Sequence, residues 1–244
     1  MKLKRSRLSS QMQALLLNSN NHCSTARKRK ADITSAFRLL KGCGFTAHYF
    51  TDNRNLSENR KEHSFRFSGH VFTFVTDNGV FSKGGVDSGT EILLEACVKE
   101  DIHGNVLDLG CGYGVVGTVI KTLFPACRVI STDVNPRAAE LAEINSRANR
   151  APCEVYVSDG FEKIEDVFDS VITNPPIRAG KAVIYRMFED AFTHMRRGGS
   201  LYAVIRRKQG AESALRKLEE IFQNCDVISR DKGYWVLKST KLTD

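Results

Sequence analysis

Residues 105–124 read NVLDLGCGYGVVGTVIKTLF. The segment opens as a short apolar strand, NVLDLG (105–110), and closes as a helix, VVGTVIKTLF, that must stop at Pro125. Between them Gly110, Gly112 and Gly114 allow a tight turn and a close backbone approach to a ligand. The helix that follows directs its first amide N–H groups at the same place. Gly112, Gly114 and Gly117 also fit G-x-G-x-x-G, so the loop alone admits NAD or another nucleotide-like ligand.

Working outward, strands and helices alternate. RVISTDV (128–134) predicts a second strand, and Asn135-Pro136 a helix start, with Asn as N-cap and Pro in the first turn. CEVYVSD (153–159) and FDSVITN (168–174) predict a third and a fourth strand, followed by a helix within 180–196. GSLYAVIR (199–206) predicts a fifth strand and 210–223 a helix. CDVISRD and GYWVLKS close the chain as an antiparallel pair, which brings the count to seven. Upstream, HSFRF and HVFTFVT flank Ser68-Gly69 and predict a hairpin, with Val71 on the face opposite Phe72, Phe74 and Thr76. Asp87 or Ser88 caps a helix that carries Ile92, Leu93, Ala96 and Cys97. Such alternation predicts an α/β fold: a seven-stranded, mostly parallel sheet with helices on both faces, preceded by the β-hairpin.

In sheets of this kind ligands bind beyond the carboxyl ends of the strands. The residues expected there are Asp108, Asp133, Asp159, Asn174 and the run Arg206-Arg207-Lys208. Asp108 at the mouth of the glycine loop repels a pyrophosphate and suits a ligand with an amino group or a sulfonium. Asp133 suits two ribose hydroxyls, and Asp159 an adenine amino group.

The fourth strand runs into VITNPPIRAG (171–180), an asparagine locked in place by two prolines. The order DLGCGYG, Asp133, Asp159, NPP resembles the class I S-adenosylmethionine-dependent methyltransferases with their Rossmann-like fold. NPP is similar to the branch that methylates exocyclic or amide nitrogens. FTFVTDNGVFSKGGVDSGTEILLE (72–95), NPPIRAGK (174–181) and RRKQGA (206–211) resemble the small-subunit ribosomal RNA guanine-N2 methyltransferase family, in its short single-domain bacterial form. The likeness covers roughly residues 48–240. It implies S-adenosylmethionine as cofactor, held by Asp108, Gly110, Gly112, Gly114, Asp133, Asp159 and Asn174. It also implies catalysis by Asn174, Pro175 and Pro176, with the Asn174 side-chain oxygen and the Pro175 carbonyl accepting the two N–H groups of the target amine. RNA, in the form of small-subunit ribosomal RNA or its precursor particle, is the implied partner, met by Lys83, Ile177, Arg178, Lys181, Arg207 and Lys208. Where much of the NPP branch places an aromatic residue to stack on the target base, this chain has Ile177. The stacking ring must come from elsewhere: Phe81, Tyr113 or Tyr185. Protein-glutamine and adenine-N6 methyltransferases share NPP motifs, and an RNA-binding assembly protein could keep the fold without turnover.

Composition agrees with a globular domain. The chain has 244 residues, of which 41% are hydrophobic, enough for a sizeable core. Residues 1–60 carry 12 Lys/Arg against 3 Asp/Glu and residues 61–244 carry 24 against 25, so the formal charge of +8 sits in the first quarter. Residues 1–47 are expected to be a basic, disordered extension and 48–244 the methyltransferase domain; ITSAFRLLKG (33–42) is a candidate short helix within the extension. Seven scattered cysteines with no CxxC point to small core residues in a reducing, cytoplasmic setting, with neither a disulfide framework nor a metal site. No apolar run approaches the ~20 residues of a membrane span.

Overall fold

The computed structural model describes residues 57–243. The expected extension 1–47, its candidate helix and the expected domain start at residue 48 lie outside the described residues. The chain from Lys61 onward is ordered as β1 (Lys61–Phe67), β2 (His70–Thr76), α1 (Ser88–Cys97), β3 (Asn105–Leu109), α2 (Val115–Leu123), β4 (Arg128–Asp133), α3 (Pro136–Ala148), β5 (Glu154–Val157), β6 (Phe168–Thr173), α4 (Lys181–Thr193), β7 (Met195–Arg206), α5 (Ala211–Phe222), β8 (Asp226–Asp231) and β9 (Tyr234–Thr240).

Strands β3 to β9 form one sheet in the order β5-β4-β3-β6-β7-β9-β8. The first five in that order pair in parallel, and β9 enters antiparallel between β7 and β8. The order reverses at β3, which lies between β4 and β6, and the crevice above that reversal is where ligands of such sheets sit. Alternation along each strand feeds two cores. Val106, Val129, Ile172 and Val204 pack toward α1, α2, α3 and the hairpin, while Leu107, Ile130, Val171, Leu201 and Ala203 pack toward α4 and α5. Period-2 patterning therefore divides each strand between two apolar layers.

The hairpin forms as expected, with Phe72 and Phe74 buried and Val71 exposed. It is a separate two-stranded sheet, and side chains hold it to the larger one. Asn145 on α3 accepts the Val75 N–H at 2.7 Å and donates to the Val75 carbonyl at 2.9 Å. Asn149, the C-cap of α3, does the same for Thr73 at 3.0 and 2.8 Å. Asn145 also donates to the Tyr113 carbonyl at 2.8 Å, so one buried amide joins hairpin, helix and glycine loop.

Strand boundaries shift by up to four residues from the sequence reading, and two of the shifts have a clear cause in the pairing. Strand β5 ends at Val157, two residues short of Asp159, because its parallel pairing with β4 stops opposite Asp133. Strand β7 begins at Met195, earlier than Gly199, because Met195 pairs with Phe168 across an irregularity that absorbs the following residues. Among the described residues no helix is long and apolar enough to cross a membrane.

Candidate active site

The glycine loop closes over the end of β4. The Gly110 and Cys111 amides both donate to the Thr132 carbonyl, at 2.8 and 2.9 Å, and the Gly112 amide donates to Asp133 Oδ2 at 2.8 Å. Asp133 Oδ1 accepts from the Asn135 amide at 2.8 Å. Two backbone amides thus fix the Asp133 carboxylate, and each oxygen keeps a lone pair for a further donor. Burial pushes its pKa up, opposed by those amides, first Asn135 and then Gly112. Gly114 has φ 86°, and a Cβ there would lie 2.8 Å from both Cα and Cβ of Ala142 on α3. It serves the close packing of loop on helix and lies outside the cavity lining, where it had been expected.

A cavity of about 350 Å³ opens above the reversal at β3, a size suited to a small organic ligand. Asp87, Asp108, Asp133 and Asp159 line it, with Gly110, Cys111 and Gly112 along one side and Asn174, Pro175, Pro176 and Ile177 along another. Four carboxylates disfavour a pyrophosphate and favour a ligand with hydroxyls and a positive centre, which weighs against the dinucleotide reading of Gly112, Gly114 and Gly117.

Asp108 differs from its expected place at the loop mouth. It lies beneath the loop, 2% exposed, and accepts the Gly117 N–H at 2.8 Å. Burial raises its pKa to about 7, the Gly117 amide opposes that rise, and the charge of Asp133 adds to it. Asp159 also departs from expectation. It sits in the turn beyond β5, exposed, and its Oδ1 is 2.7 Å from Arg186. Its carboxylate reaches the cavity as one half of an ion pair.

Asn174 follows the last residue of β6, whose end is tied to β3 by a 2.8 Å bond from the Thr173 hydroxyl to the Leu109 carbonyl. The amide nitrogen of Asn174 donates to Thr90 Oγ1 at 2.9 Å and to Asp87 Oδ2 at 3.2 Å. Both N–H groups are therefore used, and among the described residues no hydrogen bond reaches Oδ1. Behind it the Pro176 carbonyl accepts the Ala179 N–H at 2.9 Å, which closes a 3₁₀ turn over Ile177–Ala179.

Of the residues expected to meet a substrate, Ile177 and Arg178 line the cavity. Lys181, Arg207 and Lys208 line a separate shallow cleft with Gly210, Glu212, Ser213 and Arg216. Lys83 lines neither, and its carbonyl accepts from the Thr76 hydroxyl at 2.9 Å. Among the candidate stacking rings, Tyr113 is buried against Phe74 and Tyr185 donates its hydroxyl to the Ser213 carbonyl away from the cavity. Tyr113 and Phe81 both line the cavity, and of the two Phe81 is the exposed one, at 49%. Among the polar lining residues that the sequence reading did not single out are Thr90, Tyr234 and Gln209. Thr90 was visible only as part of a helix start.

A family profile, Methyltransferase small domain, matches residues 71–238. The "Uncharacterized protein YbxB" of Bacillus subtilis (strain 168) is 39% identical over 198 residues, 80% of this chain and 98% of that protein. "Ribosomal RNA small subunit methyltransferase C" of Haemophilus influenzae (strain PittGG) is 42% identical over 130 residues, 52% of this chain and 39% of that protein. Among solved structures, a T. thermophilus 16S rRNA N2 methyltransferase in complex with AdoMet and guanosine is similar with a TM-score of 0.69 and 28% identity. That match covers 76% of this chain and 52% of the other. The chain thus spans about half or less of the length of these two ribosomal RNA methyltransferases.

Proposed function

The chain belongs to the Methyltransferase small domain family, and from that premise we propose that it transfers a methyl group from S-adenosylmethionine to guanine N2 of small-subunit ribosomal RNA. One observation carries the reading: Asn174 follows β6 beside the glycine loop, its nitrogen held back and its side-chain oxygen unengaged among the described residues. An exocyclic aromatic amine is a poor nucleophile because its lone pair is delocalised into the ring. Asn174 Oδ1 and the Pro175 carbonyl accept its two N–H groups, which draws the nitrogen toward tetrahedral geometry and frees the lone pair. Positioning and fixed dipoles do this without a strong base.

The cavity residues fit the cofactor. Asp133 accepts ribose hydroxyls on its remaining lone pairs, and Asp108 and Asp87 favour the positive ammonium and sulfonium groups. Asp159, already neutralised in part by Arg186, faces the adenine side. Bound there, the cofactor supplies an electrophilic methyl group. Phe81 at the cavity mouth takes the stacking role that Ile177 leaves open. Exposed Arg178 and Arg206 line the cavity, and Lys181, Arg207 and Lys208 continue the positive surface into the adjoining cleft, as a phosphate backbone requires. A cytoplasmic setting accords with the free cysteines of the described residues.

The test is methyl transfer from labelled S-adenosylmethionine to unmethylated small-subunit RNA and small-subunit particles, followed by nucleoside analysis. N2-methylguanosine is expected, and Asn174→Ala should lower the rate by about 10²–10³, the typical effect of losing one preorganised hydrogen-bonding group. S-adenosylhomocysteine binding should stay within a few-fold. Label in large-subunit RNA alone, in N6-methyladenosine, or in protein glutamine would overturn the substrate assignment. An undiminished rate for Asn174→Ala would overturn the role of NPP.

A further inference from the structure

The reactive oxygen of Asn174 is useful only if the amide faces one way. Rotated by half a turn, the amide presents N–H groups to a substrate that is itself an N–H donor, and the contact becomes repulsive. A carboxamide has nearly equal shape in both orientations, so sterics alone select neither. The selection has to come from acceptors behind the nitrogen.

Two are present: Asp87, the N-cap of α1, and Thr90 in its first turn. Thr90 Oγ1 lies 2.9 Å and Asp87 Oδ2 3.2 Å from Asn174 Nδ2. A carboxylate accepts and never donates while ionised, so Asp87 rejects the flipped amide outright. The same Asp87 oxygen accepts the Gly89 amide at 2.9 Å and the Thr90 amide at 3.4 Å as the N-cap of α1. The carboxylate is thereby fixed to the helix it starts. Gly89 keeps the turn this tight: a Cβ there would lie 2.8 Å from Asp87 Oδ2 and 3.0 Å from the Tyr234 ring. Thr90 is buried, so its hydroxyl has few alternative rotamers.

We infer that Asp87 and Thr90 are positioning residues for the reaction, which clamp the Asn174 amide with its oxygen toward the substrate amine. The inference rests on the function proposed above. The clamp has an electrostatic side as well. Donation from Nδ2 to a carboxylate pushes electron density through the amide onto Oδ1, which strengthens that oxygen as an acceptor for an amine that becomes positive.

Substitutions at both ends of the contact test this. Asn174→Asp sets two carboxylates against each other where a donor met an acceptor, and it should lose activity by tenfold or more. Asp87→Ser keeps a cap for α1 and withdraws the carboxylate from Asn174 Nδ2, and it should lower the single-turnover rate at least tenfold. Thr90→Val, which removes one acceptor at constant volume, should lower the single-turnover rate about tenfold while cofactor affinity and melting temperature hold. Thr90→Ser should restore it. Asp87→Ser or Thr90→Val at the wild-type rate overturns the clamp. A readout independent of turnover is hydrogen exchange of the Asn174 side-chain amide by NMR. It should be slow in the wild type and faster in Thr90→Val; equal rates would also overturn the clamp. If the wild type methylates no RNA, the proposed function falls, and the exchange measurement still decides the clamp.

Discussion

Asp108→Asn should stabilise the protein in a pH-dependent way. In the folded chain burial raises the Asp108 pKa from its ordinary value of 3.8 to about 7. Below 3.8 the group is protonated whether the chain is folded or not, and it adds no penalty. Between 3.8 and about 7 the folded state holds a proton that the unfolded state has released, so stability falls as pH rises through that window. Above it both states are ionised and the folded one bears the full desolvation cost. A shift of roughly three units at 1.36 kcal/mol per unit is about 4 kcal/mol. Asparagine keeps the oxygen that accepts the Gly117 amide and removes the charge. Urea unfolding of wild type and variant at about pH 5 and about pH 7 should therefore give a stability gap that widens by about 2–3 kcal/mol between the two. The cofactor affinity of the wild type should rise across the same range as Asp108 ionises beside a positive ligand, and the variant should lack that rise. Parallel stability profiles would refute the reasoning, since they would mean that Asp108 is ionised at its ordinary pKa in the fold.

Asp133→Ala removes the acceptor proposed for the ribose hydroxyls, and calorimetry with S-adenosylhomocysteine should show affinity reduced by tenfold or more, as bonds to a charged acceptor are worth about 1.5–3 kcal/mol each. Asn145→Ala strands both polar groups of Val75 and the Tyr113 carbonyl. It should cost about 2–4 kcal/mol in urea unfolding and speed hydrogen exchange at the Val75 amide.

The sheet was legible because local signals agreed with one another. Short apolar runs, Asn135-Pro136 as a cap, the glycines of the loop and the Ser68-Gly69 turn each identify an element by themselves. Strand-end reasoning then brought Asp133 and Asn174 to one cavity. Its failures are instructive. Asp108 and Leu109 stand side by side in sequence, but Asp108 falls on the face that packs on α2, so its carboxylate is drawn under the loop. Asp159 was one turn beyond a strand whose length depends on pairing with β4. Lys181, Arg207 and Lys208 were placed correctly along the chain, but α4 and the turn after β7 direct them to a neighbouring cleft. The bonds that matter most for the site span 84 and 87 residues, from Asn174 to Thr90 and Asp87, and no local pattern encodes them.

The two asparagines of α3 that grip β2 have a metric basis. Four helical residues advance about 6 Å along the axis, and two strand residues advance about 6.6–6.8 Å. Over a single such step the two repeats nearly coincide, so side chains at 145 and 149 can meet the backbone of residues 75 and 73 as a neighbouring strand would. With each further step the mismatch grows, and the imitation runs out of register. The helix is thus a counterfeit strand two rungs long. It occupies the polar edge of the hairpin as a real strand would, but it carries no edge of its own on which a third strand could add. The hairpin that roofs the glycine loop is closed to sheet extension along that side, and the chain achieves this with side chains in place of a longer sheet.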